Sequence, residues 1–201
     1  MKSENKIRQP KQERSIETKS KIINAGYKVF STVGYYGTNT AEIAKVAGVS
    51  TGIVYGYFKD KRDILLCVLD IYIDTVTKPI FDVMEGLSVP VDTALLMPTM
   101  MEEVIGIHER NQRLHHTLHS LAANDEGVNA RFIDLELSVT EKISARLIEL
   151  GQSGDKLPEK VHVAMNVMQA FAHEYVFDKH DYIDYEAMRG LVCKMLTDLF
   201  E

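Results

Sequence analysis

Three observations in the sequence predict an all-α protein. Apolar residues recur three or four apart through most of the chain, the spacing that stacks side chains on one face of a helix. No stretch alternates apolar and polar residues up to a hairpin turn, so strands have no signal. Glycine, asparagine, aspartate and serine fall at the joints between periodic segments, where helices start and stop. With 201 residues, 45% of them hydrophobic, the chain is long enough to bury a core in one or two domains.

Taken in order, residues 1–14 read as a polar, basic, flexible arm containing Lys6, Arg8, Lys11 and Arg14. From Ser15 a helix shows one apolar face through Ile23, Tyr27, Phe30 and Val33, and Gly34 ends it. Asn39 is placed as an N-cap, with Glu42 at the third helical position to complete a capping box. The helix it opens, Thr40 to Ala47, is expected to bury Ile43, Ala44 and Ala47. Gly48 supplies the left-handed exit, Ser50 caps a short helix reaching about Tyr57, and Asp60 caps a much longer one. That long helix carries Ile64, Leu65, Val68, Leu69, Tyr72, Ile73 and Val76 until Pro79 disturbs it.

Further helices are expected at about 98–121, opened by Pro98, and at 126–150, capped by Asn124-Asp125. After a loop at 151–158, two more follow at 158–177 and 184–200. The domain division is an arm at 1–14, a three-helix unit at 15–60 and a larger helical unit at 61–201. No run of about 18 apolar residues is present, and the polar start has no secretory pattern, so no membrane partner and a cytoplasmic location are expected. Cys67 and Cys193 have no partner spacing for a disulfide framework or a zinc site.

Charge divides the chain unevenly. Residues 1–62 hold 12 Lys/Arg against 5 Asp/Glu, and residues 63–201 hold 11 against 24; the balances of +7 and −13 give the net −6. The basic end has the electrostatics of a phosphate binder, whereas the acidic remainder would be repelled by nucleic acid. Two short capped helices joined through a glycine turn make a helix-turn-helix pattern.

The stretch from Gly34 to Leu65, GYYGTNTAEIAKVAGVSTGIVYGYFKDKRDIL, closely resembles the TetR family of bacterial transcriptional regulators. The matching elements are Gly34-Tyr35, Ile43-Ala44, the Ala47-Gly48-Val49-Ser50 turn, Gly52, Tyr55, Tyr57-Phe58 and Lys61. The resemblance implies a dimeric, one-component repressor that binds double-stranded, palindromic operator DNA and is released by a small-molecule effector of unknown identity. DNA contacts are expected from Asn39, Thr40, Ser50, Thr51, Gly52, Tyr55, Tyr57, Lys59 and Lys61. Ala47, Val49, Val54 and Phe58 are expected to pack the small core between the two helices. Gly56 departs from the family, which often has a larger residue there, so the operator sequence is not readable.

In the acidic part, a ligand pocket is expected around Tyr72, Met97, Met101, Ile105, His108, Met168 and Tyr175, since methionine adapts to irregular apolar ligands. A homodimer interface is expected from Val161, Met165, Met168, Phe171 and Ala172 together with Leu191, Met195 and Leu199. His115 and His119 share a helix face at the spacing metal sites use, with His108 seven residues earlier and His116 alongside. Without an HExxH motif or an acidic partner at diagnostic spacing, no metal and no cofactor are expected. An enzyme built on these histidines would leave the basic head unexplained, and a purely architectural DNA binder would leave the large acidic part unexplained.

Overall fold

The computed structural model describes residues 11–152 and 154–201, and every regular element among them is a helix. In order these are α1 (Lys11–Thr32), α2 (Thr40–Ala47), α3 (Thr51–Tyr55), α4 (Lys61–Glu85) and α5 (Thr93–Arg110). They continue as α6 (Gln112–Ala122), α7 (Glu126–Glu149), α8 (Leu157–Phe177) and α9 (Tyr185–Phe200). Lys6 and Arg8 lie outside the described residues. Helix α1 already begins at Lys11, so residues 11–14 of the expected arm are helical.

The chain forms two compact units that divide between Ile71 and Tyr72 rather than at 60/61. The shift arises because the first turns of α4 complete the N-terminal core: Ile64, Leu65 and Val68 are buried there. The buried stripe of α1 is Ile22, Ala25, Val29 and Phe30, one position out of phase with the expected face. Val33 is 55% exposed, and Ile23 and Tyr27 are only half-buried. The small residues set this phase. A Cβ at Gly26 would lie 2.7 Å from Ile64 Cγ2, so α1 and α4 meet where no side chain intervenes.

Local capping explains α2 and α3. The Asn39 side chain accepts from the Glu42 amide, and Glu42 accepts from the Asn39 amide, closing a capping box. Gly48 stands at φ 69°, ψ 31°, where a Cβ would be strained, and its amide reaches the carbonyls of Ala44 and Lys45. Ser50 Oγ accepts from the Ile53 amide to open α3. That helix ends at Tyr55, two residues earlier than expected, with Gly56 as its C-cap. Asp60 Oδ1 accepts from the Asp63 amide at the start of α4.

The C-terminal unit buries the methionine-rich face of α5 against α8 and α9, and α7 packs on α6 and α8. Two prolines behave differently from expectation. Pro79 lies inside α4, which continues to Glu85, and Pro98 lies inside α5, which Asp92 opens by accepting from the Leu95 amide. Each removes only one backbone donor, and the packed helix tolerates the loss. The expected single helix at 98–121 is two helices. Asn111 interrupts it, its backbone and side-chain nitrogens both donating to the Ile107 carbonyl. Arg146 on α7 donates to the carbonyls of Met84 and Leu87, satisfying the open end of α4. Among the described residues no helix is long and apolar enough to cross a membrane.

Candidate DNA-reading head and ligand cavity

In the N-terminal unit, the turn between α2 and α3 is held by Val54 and Phe58, which are 0% and 4% exposed, with Ile43 and Ala44 beneath. Ala47 and Val49 are half-buried at the edge of this packing. What remains outside is the N-terminal end and outer face of α3. Gly52 is open, with nothing but Ser50 Oγ near a Cβ position, and Tyr55 is 57% exposed. The Tyr55 hydroxyl reaches Thr40 Oγ1 at 3.5 Å, which links the starts of the two helices. Thr51 is half-buried, and Lys59 is exposed. Ile53, 43% exposed on the same helix, was not expected here; its apolar surface suits a base methyl group rather than a phosphate.

Several expected contact residues are engaged within the head itself. Asn39 and Ser50 spend their side-chain oxygens as caps, although a serine hydroxyl keeps its proton to donate. The hydroxyls of Tyr57 and Ser15 lie 3.2 Å apart, tying the end of the motif to α1. Lys61 departs furthest from expectation. Its ammonium donates to the carbonyls of Tyr35 (2.6 Å) and Thr38 (2.8 Å) and sits 4.2 Å above the Tyr35 ring. Desolvation lowers its pKa. Lys61 therefore clamps the loop between α1 and α2.

In the C-terminal unit a cavity of about 200 Å³ opens between the helices. Tyr72, Met97, His108 and Met168 line it, with Met100 beside them. Met101 and Ile105 are buried in the adjoining core but do not reach the cavity. Tyr175 does not line it; its ring stacks on Phe171 and meets Tyr185 edge to face. The expected interface residues divide as well. Val161, Met168, Phe171 and Ala172 are at most 5% exposed and pack in the unit's own core. Met165 and Leu199 are half-buried, whereas Leu191 and Met195 are 70% and 51% exposed.

One end of the cavity is built from imidazoles. The rings of His108 and His115 are 4.2 Å apart between centroids, His119 follows at 4.2 Å from His115, and His173 from α8 approaches His115 at 6.1 Å. Phe177 stacks on His115, and Tyr72 Oη lies 2.6 Å from His115 Nδ1. Burial is the main force pushing the His115 pKa down to about 2, with the neighbouring histidines adding to it. His108 is lowered by burial too, partly offset by its contact with the Val104 carbonyl. His119 is lowered too, chiefly by desolvation from the packed rings and then by His108, His173 and His116, although it keeps an exposed edge as His116 does. His108, His115 and His119 are thus each biased toward the uncharged form. Among the described residues, no group of three or more His, Cys, Asp or Glu is arranged to hold a metal ion. The sequence pointed to His108, His115 and His119 and put Tyr72 with His108 around a pocket, but gave no sign of His173.

Comparison with known proteins places the head. Residues 22–68 match the model for bacterial regulatory proteins of the tetR family. The chain is 46% identical over 76 residues to the HTH-type transcriptional regulator HbdR of Aromatoleum sp. (strain CIB), covering 38% of this chain and 33% of that protein. The match therefore spans about a third of that relative's length. The fold extends further than the sequence similarity. A TetR-family transcriptional regulator from Mesorhizobium loti superposes with a TM-score of 0.69 at 21% identity, over 93% of this chain and 96% of that one. The regulator FadR of Bacillus subtilis, solved with stearoyl-CoA, superposes with a TM-score of 0.60 at 19% identity, over 89% and 97% of the two chains. The capped α2-turn-α3 head is thus matched in sequence to bacterial regulatory proteins of the tetR family over residues 22–68, and the helical remainder is matched in fold to TetR-family regulators.

Proposed function

We propose that the protein is a repressor that grips a palindromic operator as a homodimer and lets go when a small molecule fills the cavity of its C-terminal unit. The observation that carries this reading is the cavity itself: it is largely apolar, lined by helices, and formed by residues of a unit separate from the DNA-reading head. Such a pocket has no structural purpose in a plain DNA-binding protein, where close packing would be more stable. The stearoyl-CoA bound to FadR gives a precedent for an effector in this fold.

DNA contact is assigned to the outer surface of α3 and its approach: Thr40, Ser50, Thr51, Gly52, Tyr55 and Lys59, with Ile53 added. Dimerisation is assigned to the exposed apolar surface of α8 and α9. Val163, Leu191 and Met195 are 47%, 70% and 51% exposed, and exposed Ala170 and Ala187 would let a partner helix approach closely. Helix α4 is continuous from Lys61, which clamps the head's loop, to Tyr72 at the cavity wall. It is the covalent route by which filling the cavity would be felt in the head.

The test is sedimentation of the full chain together with operator binding. A dimer at micromolar concentration whose Leu191→Glu variant is monomeric and loses DNA affinity supports the reading. A monomer that binds DNA as tightly as the parent removes it.

A further inference from the structure

The segment that forms α3 lacks the side chains that ordinarily read base pairs. From Ser50 to Tyr57 it runs STGIVYGY, without arginine, lysine, asparagine, glutamine, aspartate or glutamate. Guanine is commonly taken by a bidentate arginine or lysine, adenine by asparagine or glutamine, and the amino group of cytosine by a carboxylate. None of these pairings is open to α3. Hydroxyl groups bond to several base edges and discriminate poorly, and those present are partly engaged. Ser50 Oγ accepts from the Ile53 amide, and the Tyr55 hydroxyl lies 3.5 Å from Thr40 Oγ1. The remaining feature of a base edge is the C5-methyl group of thymine, which takes an apolar partner.

The helix turns such a partner outward. Successive residues of a helix are rotated by about 100°, so Gly52 lies across α3 from the buried Val54, with Ile53 on one flank and Thr51 and Tyr55 on the other. The Tyr55 flank is polar and borders the start of α2, whereas the Ile53 flank is apolar and 43% exposed. Between them Gly52 offers no side chain, and a Cβ there would meet only Ser50 Oγ at 3.9 Å. A helix face without a Cβ lets its backbone approach a ligand closely. Exposed Lys45 and Lys59 on the adjoining segments carry positive charge for the phosphates.

We propose that Ile53 packs against the C5-methyl group of a thymine in the major groove of the operator, so that the head recognises this base by its methyl group rather than by hydrogen bonds. This rests on α3 being the surface that meets DNA. Cytosine, adenine and guanine carry no such methyl group, so one apolar side chain selects thymine at its position. Phosphate contacts from the lysines set register and salt dependence, and the methyl contact supplies sequence information that they do not.

The experiment begins with selection of a preferred duplex by the full chain from a randomised DNA pool long enough to hold two half-sites. Fluorescence anisotropy is then measured on the selected duplex with each thymine replaced in turn by uracil, which removes the C5-methyl group and nothing else. One thymine per half-site should respond, its uracil form binding the parent about fourfold more weakly, the change that burying one methyl group produces. Ile53→Ala should bind the thymine and uracil forms equally. At the same position, 5-methylcytosine should bind the parent more tightly than cytosine, and Ile53→Ala should not separate the two. Ile53→Val, which trims a single methyl group, should show an intermediate uracil penalty and decides the matter if Ile53→Ala does not fold. A selected duplex indifferent to uracil at every thymine overturns the proposal and leaves the reading of the head intact. A uracil penalty unchanged in both variants assigns the methyl group to another side chain and overturns it as well. A pool from which no sequence is enriched overturns the reading of the head as an operator binder, and the proposal with it.

Discussion

Acidification offers a direct view of the histidine cluster, because His115 is held uncharged in the folded chain. Its pKa is about 2 when folded, pushed down first by burial and then by His119, His108, His173 and His116. In the unfolded chain it returns to about 6.5. The sign follows from which state binds the proton. Above about pH 6.5 neither state is protonated, and the His115 contribution to stability is complete. Below that, the unfolded chain takes up a proton that the folded chain refuses, so stability falls steadily toward the folded value near 2. The slope is about 1.4 kcal/mol per pH unit for one such proton, so going from about pH 8 to about pH 5 costs roughly 2 kcal/mol through His115 alone. His108, also lowered by burial, acts in the same direction. The assay is urea unfolding followed by circular dichroism at the two pH values, at fixed protein concentration, for the parent and for His115→Leu. The variant should lose about 2 kcal/mol less stability than the parent over this interval, whatever its stability at the higher pH. Parallel pH dependences in the two proteins would mean that His115 is not a buried neutral base.

The head allows three further tests. Tyr55→Phe removes a hydroxyl from a side chain that is 57% exposed; operator affinity should fall several-fold with melting unchanged, and unaltered affinity would take Tyr55 off the contact surface. Lys61→Ala removes two hydrogen bonds from a charged donor, so thermal unfolding should show a loss of about 1–3 kcal/mol. Weakened DNA binding without that loss would return Lys61 to the role of phosphate contact. Gly26→Ala drives a methyl group to 2.7 Å from Ile64 Cγ2, and overpacking of this kind costs about 1–3 kcal/mol. Unchanged denaturant midpoints would show that α1 and α4 separate easily.

What the sequence revealed follows from how local each signal is. The capping box of Asn39 and Glu42, the Ser50 cap and the left-handed Gly48 depend on residues within four positions of one another, and all three stand in the structure as read. Pro79 and Pro98 misled because a proline removes one hydrogen bond, which α4 and α5 absorb in their interiors. Asn111 gave no warning of a break, since asparagine inside a periodic stretch looks like an ordinary polar position. The stripe of Val161, Met168, Phe171 and Ala172 was recognised as a buried face, but periodicity does not say what buries it. Here α5, α7 and α9 of the same chain do so, leaving Val163, Leu191 and Met195 outside. The histidines are the clearest limit. His108, His115 and His119 fall on one face by spacing, whereas His173 and Tyr72 join them only through tertiary packing. Spacing alone put Tyr72 and His108 around a pocket but left His115 and His119 looking like a weak metal motif.

The central claim is that the head reads one DNA sequence in preference to others and that the protein does so as a dimer. It is tested most directly by fluorescence anisotropy of the full chain on DNA from upstream of its own gene, titrated at several salt concentrations with excess competitor DNA. The account predicts competitor-resistant binding that saturates at two protomers, or a multiple of two, per site and weakens as salt rises. If competitor abolishes the binding for every upstream segment tried, or if it saturates at one protomer, the claim is contradicted.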